Sequence, residues 1–267
     1  MIKQCPGAAF VALVFLFLVN TAFAHPEDDF CTVDSGLDPA LCAALAEADR
    51  AVDQETGVDT RGMLNPEQAS RVTSTIKLDR PWWKTAGLYT RLGYEHILPK
   101  GLDHILFVLA LFFLSTRFRP LLIQISIFTL AHTITLGLAA AGWIKVPGGI
   151  VEPLIAISIA LVAVENMFAR RMTPWRPVIV FFFGLFHGLG FASVLLDLGL
   201  PEDQFITALI SFNVGVELGQ LTVVVAAWVL LQHWFTRPWY RARVVLPASF
   251  LIAVTGSWWA IQRIFLT

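Results

Sequence analysis

The 267-residue chain is 56% hydrophobic and only 15% charged, with a formal net charge of -1. Soluble domains carry roughly 45 to 50% apolar residues, so this composition excludes an ordinary soluble protein and points to an all-α chain that crosses a membrane several times. The near-neutral total hides a strongly acidic stretch from His25 to Arg80 and mostly basic loops after Lys100, and nothing in that pattern suggests a nucleic-acid partner.

In chain order, Lys3, the apolar run Ala8–Val19 and the small-x-small triplet Ala22-Phe23-Ala24 predict a secretory signal over residues 1–24, with a mature chain starting at His25. Cleavage removes Cys5 and leaves Cys31 and Cys42 in an oxidising compartment, where they are expected to pair. Residues 25–80 then read as a small acidic, extracytoplasmic helical region. Asp38-Pro39 opens a helix with Leu41, Leu45, Ala48 and Val52 on one face, and Asn65-Pro66 opens a shorter one. Over 81–95, Trp82, Trp83, Ala86, Tyr89 and Leu92 follow helical spacing, as in an interfacial helix with an aromatic belt.

Six spans are predicted beyond it, forming a transmembrane domain over 96–267: 96–115, 120–141, 149–168, 177–196, 205–234 and 244–264. Loops one, three and five carry Arg117 and Arg119, then Arg170, Arg171 and Arg176, then Arg237, Arg241 and Arg243, whereas loop four carries Asp197, Glu202 and Asp203 without a base. The odd loops are therefore expected in the cytoplasm of a bacterial inner membrane protein, with both mature termini outside.

Ionisable groups inside these spans carry the functional signal, because a charge at a helix centre costs about 2.5 to 3.5 kcal/mol on insertion scales. The first span holds His96, Asp103 and His104, with Pro99 and Gly101 interrupting the helix between them. Asp103 is either a ligand or an orienter of imidazole, with a helix N-cap as the plainer alternative. His132 follows in the second span among Thr129, Thr133 and Thr135, either as a ligand or as a satisfied interhelical hydrogen-bonder. Glu152 and the pair Glu165-Asn166 lie near the two ends of the third span, and Glu165 has Arg170 or Arg171 as alternative partners. His187 sits in the fourth span, where Gly184-x-x-x-Gly188 permits close helix approach. In the fifth, Asn213, Glu217 and Gln220 make a polar stripe at i, i+4 and i+7. His25, with its free amine followed by Glu27, Asp28 and Asp29, is either a capture site for metal or a solvated acidic terminus.

These runs, from His96 through Asp103-His104, Phe128-Thr-Leu-Ala-His132, Val151-Glu152, Glu165-Asn166 and Phe186-His187-Gly-Leu-Gly-Phe191 to Phe212-Asn-Val-Gly-Val-Glu217-Leu-Gly-Gln220, resemble those of the HupE/UreJ family of membrane proteins over about 93–221. The first is also similar to the His-x4-Asp-His signature of nickel/cobalt permeases, with six residues in place of four. The resemblance implies uptake of nickel, or of cobalt, linked to hydrogenase or urease maturation, and no enzymatic activity.

Ligand chemistry agrees, since imidazole, carboxylate and amide suit Ni(II), Co(II) or Zn(II), and the spans after Lys100 contain no cysteine for Cu(I). Straight spans would sort the candidates into two layers. His96, Asp103, His104 and Glu152 would form an outer one, and His132, His187, Asn213 and Glu217 one near the midplane, with Glu165 on the exit side. A metal-binding assembly factor or sensor, and an intramembrane zinc-dependent hydrolase, are the competing readings; the latter lacks an HExxH or serine-nucleophile motif.

Overall fold

The computed structural model of the chain describes residues 81–115, 117–169, 172–192 and 202–266. The expected signal sequence, the Cys31–Cys42 pairing, His25 and the helices starting at Asp38 and Asn65 lie outside the described residues. Seven α-helices follow one another within the described residues: α1 Trp82–Ile97, α2 Leu102–Leu114, α3 Phe118–Ala140, α4 Gly148–Phe168, α5 Arg176–Gly190, α6 Phe205–Leu231 and α7 Leu246–Phe265. No strand occurs among them. Short 3-10 turns at Glu202–Gln204 and Gln232–Trp234 flank α6, and a π-helical turn at Arg241–Val245 leads into α7.

Four elements are long and apolar enough to cross a membrane: α3, α4, α6 through Trp234, and Arg241–Phe265. They agree closely with the predicted second, third, fifth and sixth spans. The predicted first span differs. Helix α1 runs on through Ile97, so that His96 closes one helix rather than opening the next, and α1 and α2 meet at a 71° bend over residues 98–101. Counted as one broken span, the pair brings the crossings to five. The predicted fourth span is described only to Ala192, where α5 has run 15 residues.

The helices pack in three intimate pairs, α1 with α6, α3 with α5 and α4 with α7, around α2. Each pair meets at a glycine. An added β-carbon would strike the carbonyl oxygen of Phe212 at Gly93 and of Phe128 at Gly184, and would come within 2.9 Å of the Ala160 nitrogen at Gly256. Close backbone approach through small residues is how membrane helices associate, because lipid supplies no hydrophobic drive between them. Beyond Asp103 and His104, helix α2 is apolar all round and buries Leu106, Phe107, Val108, Leu111 and Phe112, as a central helix must. On α6 the opposite surface shows the membrane side, where Ile206, Ile210, Val214 and Leu218 recur every fourth residue and stand exposed while Ala208, Phe212 and Val216 are buried. These helices and surfaces make the chain a multi-pass membrane protein.

Candidate metal centre

The break between α1 and α2 decides where the histidines fall. His96 is the penultimate residue of α1 and His104 the third of α2, so the bend folds the two imidazoles onto each other, with ring centroids 4.8 Å apart. His104 is also 5.8 Å from His132 of α3 and 4.9 Å from His187 of α5, and His96 is 6.3 Å from His132. All four rings therefore meet around His104, and the two-layer arrangement expected from straight helices is replaced by one cluster. The physical reason is the bend, since a constant rise of about 1.5 Å per residue places side chains correctly only along an unbroken axis.

Two overlapping groups of candidate ligands result. One ligand atom from each of His96, His104 and His132 lies within 4.8 Å of the others, and the same holds for Asp103, His104 and His187. The ring nitrogens His96 Nε2, His104 Nε2, His132 Nε2 and His187 Nδ1 are buried without a hydrogen-bond partner. Buried polar atoms are nearly always satisfied, so four such nitrogens gathered in one place make this cluster the candidate site. Asp103 lies in the first turn of α2, where a carboxylate is favoured by the helix dipole, and supplies negative charge beside the cluster.

Apolar rings wall the site. Phe191 lies over His96 at 3.9 Å, and Phe128 and Phe107 stand 5.0 and 5.2 Å from His187. His104, His132 and His187 are buried, but His96 is only half-buried and the Asp103 side chain is 26% exposed, which makes these two the open side of the cluster.

Other expected ligands are engaged elsewhere. Asn213 stands behind His132, its Oδ1 3.0 Å from His132 Nδ1 and its Nδ2 donating to the Leu209 carbonyl at 2.8 Å. Glu217 accepts from Ser126 Oγ at 2.6 Å and Gln220 Oε1 from Thr129 Oγ1 at 3.3 Å, so the polar stripe of α6 is met residue for residue by α3. Glu152 is 54% exposed and lies 3.8 Å from Arg263 of α7. Asn166 is fully buried and donates to the Ala110 carbonyl at 2.7 Å, tying α4 to α2.

Glu165 finds Arg176 at 3.1 Å; Arg170 and Arg171 lie outside the described residues. That arginine is itself buried, and its Nε donates to Gln124 Oε1 at 2.9 Å. Ser158 of α4, 3.1 Å from His187 Nε2, was not anticipated, because a serine in an apolar span carries no signal until its neighbour across the interface is known.

A family model described as HupE / UreJ protein matches residues 72–263, most of the chain and well beyond both ends of the resembling runs. No curated protein and no solved structure matches the chain.

Proposed function

We propose that this chain, which belongs to the HupE/UreJ family, is a permease that carries Ni(II), with Co(II) as a second cargo, across a bacterial inner membrane. One observation carries the reading: four imidazoles within a membrane domain converge on His104 with an unpartnered nitrogen each, next to the carboxylate of Asp103. Borderline divalent ions favour such a donor set, and membrane proteins place ion sites where broken helices open the backbone between bundles.

The ion enters beside His96 and Asp103, is held by His104, His132 and His187, and leaves toward the end that bears Glu165 and the basic loops. In this reading α5 completes a sixth crossing, the basic loops are cytoplasmic, the mature N-terminus is extracytoplasmic, and the cargo serves a hydrogenase or urease maturation system. Zn(II) would compete for the same ligands.

Nickel uptake into proteoliposomes of the purified chain tests the proposal. Wild type should accumulate Ni(II), His104→Ala should reduce uptake at least about tenfold, and His233→Ala, at the far end of α6, should not. Binding without flux would refute transport, and uptake unchanged by His104→Ala would refute the site.

A further inference from the structure

We infer that Ser158 and Asn213 are positioning residues that lock His187 and His132 in opposite tautomers, so that His187 turns Nδ1 and His132 turns Nε2 toward the shared site. The inference rests on the metal-site reading above and adds to it which atoms face the cargo and what holds them there.

The argument follows from where each hydrogen goes. A metal-binding imidazole is neutral, so one ring nitrogen carries a hydrogen and the other a lone pair. At His132 the neighbour of Nδ1 is an amide oxygen, which can only accept, and the amide orientation is set because Asn213 Nδ2 already donates to the Leu209 carbonyl one turn back. Nδ1 must then be the protonated nitrogen, leaving the lone pair on Nε2. At His187 the neighbour of Nε2 is a hydroxyl, which elsewhere could serve either role. Here its single hydrogen is committed to the Ile155 carbonyl at 2.7 Å, so toward the ring it offers only a lone pair. Nε2 of His187 therefore carries the hydrogen, and Nδ1 is free.

His104 obeys the same logic, because Asp103 Oδ1 at 3.1 Å accepts from Nδ1 and releases Nε2. The nitrogens left with lone pairs, His104 Nε2, His132 Nε2 and His187 Nδ1, are three of the four ring nitrogens that lack a partner. Three orienting groups from three different helices thus agree on one result, and each is itself anchored. Ser158 is completely buried and Asn213 is 4% exposed, so water does not substitute for either.

The test uses the full-length protein in detergent, with histidine ring 15N chemical shifts for the tautomers and the visible absorption of bound Co(II) for the ligand field and affinity. Ser158→Ala should mix the tautomers of His187 alone, and weaken Co(II) about ten- to hundredfold, the usual effect of removing an orienting partner. Asn213→Leu should do the same at His132. Asn213→Asp, which keeps an acceptor oxygen, should hold the His132 tautomer.

Wild-type tautomers and Co(II) affinity in both Ser158→Ala and Asn213→Leu would overturn the inference. If His187→Ala and His132→Ala still abolished binding, the metal site would stand without the locks. Binding indifferent to all four substitutions would instead remove the site itself.

Discussion

Substituting Gly184 with alanine tests whether the approach of α3 and α5 sets the geometry of the cluster. A β-carbon at Gly184 would lie 2.6 Å from the Phe128 carbonyl oxygen and 2.9 Å from Ala131 Cβ, whereas ordinary contact begins at 3.4 Å. The carbonyl must therefore retreat by 3.4 − 2.6 = 0.8 Å, and as backbone within a helix it cannot rotate aside. The helices have to part instead. Phe128 lies one turn before His132 and Ala131 directly before it, and His187 lies three residues beyond Gly184 on α5, so the two imidazoles are carried away from each other.

Coordination distances are held to about 0.2 Å, so this displacement is several times the tolerance. Overpacking costs about 1 to 3 kcal/mol, and about 1.4 kcal/mol of lost binding is a factor of ten in Kd. Gly184→Ala should therefore weaken Ni(II) binding by at least about tenfold in isothermal titration calorimetry and lower the melting temperature. Gly87→Ala, where nothing lies within 4 Å, is the control and should change neither for the worse. An alanine at 184 that melts and binds like wild type would refute the reasoning.

Two further outcomes are expected. Glu165→Gln leaves the buried Arg176 without its counter-charge; because Glu165 is 26% exposed the loss should be about 2 to 3 kcal/mol, below the roughly 3 to 5 of a fully buried pair, and thermal melts in detergent measure it. Ni(II) supplied at about 100 times its Kd should stabilise the fold by about 2.7 kcal/mol, a rise in melting temperature that chelation reverses and that His104→Ala abolishes.

The sequence made the helices legible to within a few residues wherever one unbroken apolar run spanned the bilayer, as for α3, α4, α6 and α7. It also made legible the interruption at Pro99 and Gly101 and the close approach at Gly184 and Gly188. The angle of the break was not legible, because Pro99 and Gly101 mark where a helix stops and say nothing of where the next one points. The depth of His96 and His104 was lost with it. Asn213 was recognisable as a polar residue on a buried face, but its role depends on Leu209 and His132 competing for its two ends. Arg263, the neighbour of Glu152, stands 111 positions away in sequence. Periodicity reports which face a residue occupies; a partner on another helix lies beyond its reach.

The 71° break also has a mechanical consequence. Helix α2 is 13 residues long, about 20 Å from end to end, and starts directly after Gly101. Along the axis His104 lies about 4.5 Å from Gly101 and Leu114 about 19.5 Å from it. A tilt of about 10° at Gly101 would shift the helix axis by about 0.8 Å at His104 and by about 3.4 Å at Leu114, by the same rise per residue. The shift from a small tilt at the bend would therefore be about fourfold larger at Leu114 than at His104, by the same rise per residue.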